Sequence, residues 1–257
     1  MPVGKNLGKV NMKRKIYDKL LQWKNEKDGT TALMIEGARR IGKSYIAERF
    51  AEKEYESYIL IDFSKAPARV RGWFDEYLED IDTLLQNIQL HYKKKLTPRK
   101  SLIIFDEVQK CPRAREAIKA LVEDHRFDYI ETGSLISIKK NVDDILIPSE
   151  EDGIEMYPMD FEEFMWAMGD EVMYPYIRKC FETNKPMGDF HREAMRYFRQ
   201  YLIVGGMPQA VKEYVNSKDF NKVDAIKRQI LRLYRNDIKK YAGSAKTKVA
   251  SIFEAIP

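Results

Sequence analysis

Apolar residues recur along this chain with two different periods, and the change between them divides it. From Thr31 to Pro158, short and nearly continuous apolar runs alternate with stretches in which apolar residues return every three or four positions. The first pattern predicts strands buried on both faces, the second helices with one buried face. The runs are Thr31–Glu36, Tyr58–Asp62, Leu102–Phe105, Phe127–Thr132 and a short fifth at Ile154–Pro158. Between them lie a helix carrying Tyr45, Ile46, Ala47 and Phe50, a long helical stretch from Val70 to Leu96, and a helix over Ala114–Val122. Thr83 and Gln86 offer a capping box that would divide the long stretch in two. Residues 139–153 are polar and acidic and read as a loop. Strand, helix, strand in succession predicts an α/β fold with a five-stranded parallel sheet flanked by helices.

Ahead of this region, Ile16, Tyr17, Leu20, Leu21 and Trp23 predict a helix leaning on the core, stopped at Asp28-Gly29. Beyond it the pattern is helical throughout, through Phe161, Phe164, Met165 and Trp166, then Tyr176, Ile177 and Phe181, then Met195, Phe198, Leu202 and Ile203. Gly205-Gly-Met-Pro208 interrupts it, with Pro208 suited to the first turn of the next helix. The expected organisation is an N-terminal helical segment (1–28), an α/β core (29–159) and an all-α lid (160–257).

Two stretches carry chemistry. Gly37-Ala-Arg-Arg-Ile-Gly-Lys-Ser44 stands between the first strand and the first helix of the core and reads as a P-loop. Gly37 and Gly42 let the backbone curl, so that N–H groups of Gly37, Ala38, Arg39, Arg40, Ile41, Gly42, Lys43, Ser44 and Tyr45 would line a phosphate at a helix N-terminus. Lys43 would reach the terminal phosphates, and the Ser44 hydroxyl would take one position on magnesium. Leu102-Ile-Ile-Phe-Asp-Glu107 looks like a Walker B strand, with Asp106 on the metal and Glu107 orienting or deprotonating a water. The spacing of the two motifs predicts that their strands are neighbours. At the end of the fourth strand, Thr132 and Ser134 are placed to sense a γ-phosphate, although a simple turn gives the same letters.

Composition narrows the setting without changing this picture. The 257 residues are 44% hydrophobic and 33% charged, which describes a globular protein with a heavily charged surface. No apolar run approaches the ~20 residues that span a bilayer. Two cysteines make no disulfide framework, three histidines show no metal-ligand spacing, and a reducing cytoplasm fits best. The net charge of +5 permits an anionic partner without arguing for one. Arg228, Arg232, Arg235 and Lys239 line one face of a helix over Lys222–Tyr241, the geometry either of a nucleic-acid contact or of an ordinary solvated face.

With the motifs in place, the chain resembles a prokaryotic family of AAA-type ATPases, described as an ATPase core followed by a C-terminal domain of unknown, restriction-nuclease-like type. The resemblance rests on GARRIGKS at 37–44, LIIFDEVQKCP at 102–112, ETGS at 131–134, YPMDFEEF at 157–164 and YLIVGGMPQAV at 201–211. It implies ATP as the nucleotide, Lys43 and Ser44 on phosphates and magnesium, Asp106 and Glu107 on metal and water, and Thr132 or Ser134 as sensor. It departs from ring-forming relatives in having only Lys139 and Lys140 where an arginine finger is expected, and Lys212 where a lid arginine is expected. Arg113, Arg115 and Arg126 remain candidates for reading the γ-phosphate. The apolar side of Lys248–Pro257, with Val249, Ile252, Phe253 and Ile256, leads to the expectation of a partner or a C-terminal domain that covers it. A P-loop kinase and a nucleotide-gated scaffold with little turnover are the alternatives; adjacent Asp106 and Glu107 favour water over an acceptor substrate.

Overall fold

The structure, a computed structural model, describes residues 12–134, 149–241 and 245–255. They fall into two compact units, one formed by residues 16–157 and the other by residues 12–15 with residues 158–255.

In the first unit the elements run α1 (Ile16–Lys27), β1 (Ala32–Gly37), α2 (Lys43–Glu54), β2 (Ser57–Asp62), α3 (Ala68–Glu76), α4 (Ile81–Tyr92), β3 (Ser101–Asp106), a 3-10 turn (Val108–Lys110), α5 (Pro112–Glu116), α6 (Ile118–Glu123), β4 (Asp128–Ser134) and β5 (Glu151–Met156). All five strands are parallel, in the order β2-β3-β4-β1-β5. Burial explains that order. β3 and β4 are buried at every residue and β1 at all but Glu36, so they fill the centre, whereas β2 and β5 are partly exposed at most of their residues and lie at the edges. The expectation that the two motif strands are neighbours is corrected here, because β4 lies between β1 and β3 and takes the hydrogen-bonding edge of each. The register aligns Gly37 with Ser134 and Met156, and Asp62 with Asp106, so the carboxyl ends of the strands form one rim.

Side chains of alternating positions, Ile103 and Phe105 among them, pack on one face with Phe63, Phe74, Leu85, Ile88 and Tyr129, where Phe63, Phe74 and Phe105 meet edge-on or tilted with ring centroids 5.5–5.6 Å apart. α1 buries Ile16, Leu20 and Trp23, as its spacing predicts.

Several boundaries differ from the sequence reading. The break between α3 and α4 falls earlier than Thr83, because Asp80 is the N-cap: it accepts the Thr83 N–H at 3.0 Å and the Thr83 hydroxyl at 2.7 Å. The helix expected over 114–122 is two short ones, α5 and α6, meeting at Ala117. Residues 151–153, read as loop, begin β5, whose Glu151, Asp152 and Glu155 suit an exposed edge rather than a buried run. Residues 139–148 of that expected loop, with Lys139 and Lys140, lie outside the described residues.

The second unit is helical: α7 (Phe161–Ala167), α8 (Met173–Glu182), α9 (His191–Val204), α10 (Pro208–Ser217), α11 (Phe220–Tyr241) and α12 (Lys246–Glu254). Its core gathers Met12, Met159, Phe164, Val204, Ala210, Val211, Tyr214 and Val223. Asp160 and Glu163 of the MDFEEF segment form a reciprocal capping box on α7. The GGMP segment packs on the same stretch: Met159 N–H donates to the Gly206 carbonyl at 2.7 Å, and a Cβ on Gly206 would stand 2.0 Å from the Met159 carbonyl oxygen. Tyr201 adds its hydroxyl to that carbonyl at 2.9 Å. Two motifs that carried the resemblance are therefore one packing unit. Ile256 of the expected terminal apolar side lies outside the described residues, and no helix among them is long and apolar enough to cross a membrane.

Candidate active site

The loop from Gly37 to Gly42 opens at the carboxyl end of β1 because two of its residues tolerate a conformation others do not. Gly37 has φ of 150°, and a Cβ there would meet the Met156 carbonyl oxygen at 2.2 Å and Ile41 Cδ1 at 2.6 Å. Gly42, at φ 96°, caps α2, and Arg40 also sits in the left-handed region at φ 66°. Ala38, Arg39 and Arg40 are exposed, Ile41 is buried as the loop's apolar anchor, and Tyr45 turns outward at 43% exposure. The N-terminus of α2 therefore faces the mouth of the loop with its N–H groups and positive dipole end.

Lys43, the first residue of α2, is buried, and its ammonium folds back to donate to the carbonyls of Gly37 (3.0 Å) and Ala38 (2.8 Å). Burial lowers its pKa, Glu107 and Asp106 oppose that shift, and the Arg39 charge reinforces it. An ammonium held only by neutral carbonyls beside two carboxylates has a ready use for an anion that brings further negative charge.

One residue along, the Ser44 hydroxyl donates to Asp106 Oδ1 at 2.6 Å, and the Thr132 hydroxyl donates to the same oxygen at 2.5 Å. Thr132 also accepts the Glu107 N–H at 3.3 Å, so this side chain ties β4 to both acidic residues at the end of β3. Glu107 adopts φ 56° and opens the 3-10 turn, and its Oε2 accepts a 2.6 Å hydrogen bond from Gln109 Nε2. Ser134, buried at the end of β4, pairs in register with Gly37. The structure thus brings Gly37–Ser44, Asp106, Glu107, Thr132 and Ser134 to a single rim.

The donor set fits magnesium. Ser44 and Asp106 offer oxygens only, and among the described residues no group of three or more His, Cys, Asp or Glu side chains is placed to hold a metal. Two protein oxygens suit an ion that keeps its waters and draws further ligands from phosphates.

The candidate arginines are held by carboxylates. Arg113 is paired with Asp75 and Glu116, Arg115 with Glu151 at the start of β5, and Arg126 with Asp124 and Asp82 just ahead of β4. Arg115 and Arg126 belong to the amino edge of the sheet, opposite the rim, where carboxylates already hold them. In the helical unit Arg228 pairs with Asp224 and Arg235 with Glu254, Arg232 is exposed, and the Lys239 side chain lies outside the described residues. The residue that sequence reasoning missed is Gln109. Its signal was its place two residues beyond Glu107, which becomes informative only once a left-handed Glu107 and a 3-10 turn bring the two side chains together.

Comparison with known proteins bears on the family and the fold. An AAA domain family model matches residues 29–165, and a model of a domain of unknown function matches residues 195–257. No curated protein matches the chain in sequence. Among solved structures, a Walker-type ATPase of Pyrococcus abyssi superposes with a TM-score of 0.50 at 17% identity, over 92% of this chain and 76% of that one. DnaA of Aquifex aeolicus bound to AMPPCP gives a TM-score of 0.48 at 12% identity, over 92% and 75%. At 17% identity the likeness to the Pyrococcus abyssi ATPase is one of fold. The family-model match covers more than half of the 257 residues, and the chain belongs to the AAA domain family.

Proposed function

We propose that the protein binds ATP with magnesium and hydrolyses it, Glu107 serving as the base that takes a proton from the attacking water. The observation that carries this reading is the 2.6 Å contact between Ser44 and Asp106, with Lys43 one residue away and Glu107 next to Asp106. A P-loop alone holds phosphate; a P-loop hydroxyl already touching the carboxylate at the end of β3 supports a site organised for a metal–nucleotide complex.

In this reading the N–H groups of 37–45 and the α2 dipole bind the phosphates, and Lys43 exchanges its two carbonyl acceptors for phosphate oxygens. Ser44 and Asp106 would hold magnesium, which when bound offsets the charge of the phosphates. Thr132 keeps Asp106 and the Glu107 backbone in place, and Ser134 is the polar group nearest in register to Gly37. Glu107 Oε1, the oxygen not engaged by Gln109, takes the proton. The helical unit is proposed to act as a lid whose conformation follows the nucleotide.

Single-turnover hydrolysis tests the reading. Lys43→Ala is expected to weaken ATP binding, whereas Glu107→Gln is expected to bind ATP and to hydrolyse it about 10²–10⁴-fold more slowly. Hydrolysis by Glu107→Gln at the parent rate would remove Glu107 from its role. Binding without turnover in the parent protein would leave the scaffold reading. Hydrogen exchange over 158–255 with and without ATP checks the lid.

A further inference from the structure

Glu107 is constrained on three sides before any ligand is considered. Its N–H is held by Thr132 at 3.3 Å, its carbonyl accepts from the Lys110 N–H at 2.9 Å, and its φ of 56° is a conformation that side-chain-bearing residues seldom adopt. The next residue, Val108, is 1% exposed and anchors the turn in the core beneath the sheet. A backbone fixed in this way leaves only the side-chain torsions of Glu107 to be specified, and a glutamate has three of them. Gln109 removes that freedom. It is itself buried, in a turn closed by the Cys111 N–H to Val108 carbonyl bond at 2.8 Å, and its carboxamide donates to Glu107 Oε2 at 2.6 Å.

We propose that Gln109 is a positioning residue for catalysis: it holds one oxygen of Glu107 and so directs the other, Oε1, toward the water it activates. This rests on the reading of Glu107 as the base and adds to it. Gln109 touches neither water nor nucleotide in this scheme and acts only through Glu107. The side chain also suits the task chemically, since a primary amide donates to a carboxylate at any working pH without gaining or losing a proton. Placement errors of the order of 1 Å in a reacting group cost roughly 10²-fold in rate, so loss of this contact is expected to slow turnover by about 10–100-fold.

The experiment is a double-mutant cycle between Gln109 and Glu107, read as single-turnover hydrolysis of Mg-ATP beside the affinity for a non-hydrolysable ATP analogue. Gln109→Met keeps the side-chain volume and removes the donor. The expected result is a lower hydrolysis rate, analogue affinity within about twofold of the parent, and no additional slowing when Gln109→Met is introduced into Glu107→Gln. If Gln109→Met does not fold, Gln109→Asn, which keeps the amide but withdraws it by one methylene, carries the same expectation. A parent rate in the single variant overturns the proposal. Equal slowing in the Glu107→Gln background, or loss of analogue affinity in step with rate, overturns it too, because either shows a general structural effect. If Glu107→Gln alone is as fast as the parent, the base assignment falls first and Gln109 with it; if Glu107→Gln is slow and Gln109→Met is fast, only the positioning role falls.

Discussion

Among the described residues each unit buries an arginine–glutamate pair, and the two pairs sit in different surroundings. In the helical unit, Arg14 and Glu163 stand 3.1 Å apart, each side chain 5% exposed. Glu163 Oε1 also accepts the Lys15 N–H at 2.7 Å, and Oε2 accepts the Asp160 N–H at 3.2 Å in the capping box, so one negative charge meets one positive charge and two backbone donors. In the sheet unit Arg115 forks across Glu151 at 2.8 and 3.2 Å, but a second carboxyl group, Glu131 on β4, lies beside Glu151, wholly buried and with neither of its oxygens hydrogen-bonded among the described residues. One guanidinium then faces two carboxyl groups. Burial first, and the neighbouring Glu151 second, raise the Glu131 pKa well above the ordinary glutamate value, and the Arg115 charge offsets only part of that. Burial of a second carboxyl group sets the sheet pair apart, whereas backbone N–H groups complete the helical one.

The larger effect is expected from breaking the helical pair. Glu163→Ala leaves the Arg14 guanidinium buried without its carboxylate and opens the cap of α7, at a cost of about 3–5 kcal/mol. For a unit of this size that corresponds to a fall of roughly 12–40 °C in thermal midpoint. Glu163→Gln, which keeps an acceptor for the Asp160 N–H and removes only the charge, should fall between alanine and the parent. Equal midpoints for all three proteins would mean that the buried contact contributes nothing to stability.

Proton uptake distinguishes the sheet pair. A carboxyl group whose folded pKa is raised contributes stability that is fully present below the unfolded glutamate pKa and is lost as pH climbs through the raised value, at up to about 1.4 kcal/mol per pH unit. The expected behaviour is a decline in denaturant midpoint as pH rises above the ordinary glutamate range that Glu131→Gln removes, since the amide does not ionise. The variant should therefore be at or above parent stability on the alkaline side. Parallel pH profiles for parent and variant would show that Glu131 is not the titrating group.

Neither pair was legible in the sequence, and the reason is physical. Strand content is carried by local patterning: β3 reads as a strand because Leu102, Ile103, Ile104 and Phe105 are all buried, and the P-loop reads from eight consecutive residues. Arg14 with Glu163, and Arg115 with Glu151, are joined by folding across long stretches of chain, and nothing in their neighbours announces the partner. The sheet order eluded the reading for a related reason. Motif spacing says which strands exist, whereas burial on both faces, visible only when the strands are assembled, decides that β4 and not β3 borders β1. Glu151 in particular looked like loop because an exposed edge strand carries charge, although its own side chain is among the most buried acids of the unit, 6% exposed. Within the site, Gly37, Lys43, Ser44, Asp106 and Glu107 were found from types and spacing, while the service of Thr132 to Asp106 and of Gln109 to Glu107 depends on side-chain directions that no spacing encodes.

The smallest effects are expected where arginines meet carboxylates in solvent. Arg228–Asp224 at 2.6 Å within α11 and Arg235–Glu254 at 2.6 Å between α11 and α12 are as short as the buried pairs, but all four side chains are 46–77% exposed, so water and salt screen what the contacts supply. Alanine at Arg228 or Arg235 should leave the thermal midpoint unchanged within error, in contrast to Glu163→Ala. The same exposure makes this face the place to test for nucleic acid. Phosphate binding there must draw Arg228 and Arg235 away from their carboxylates, and Arg232, exposed between them, is the residue with the least to give up. If α11 contacts a phosphate backbone, removing Arg232 should weaken binding of an arbitrary duplex similarly for all sequences and lower the salt slope by about 0.9 per lost contact. Unaltered affinity and slope in Arg228→Ala/Arg232→Ala/Arg235→Ala, or no binding by the parent at low salt, would identify the stripe as a solvated face whose arginines serve their own carboxylates.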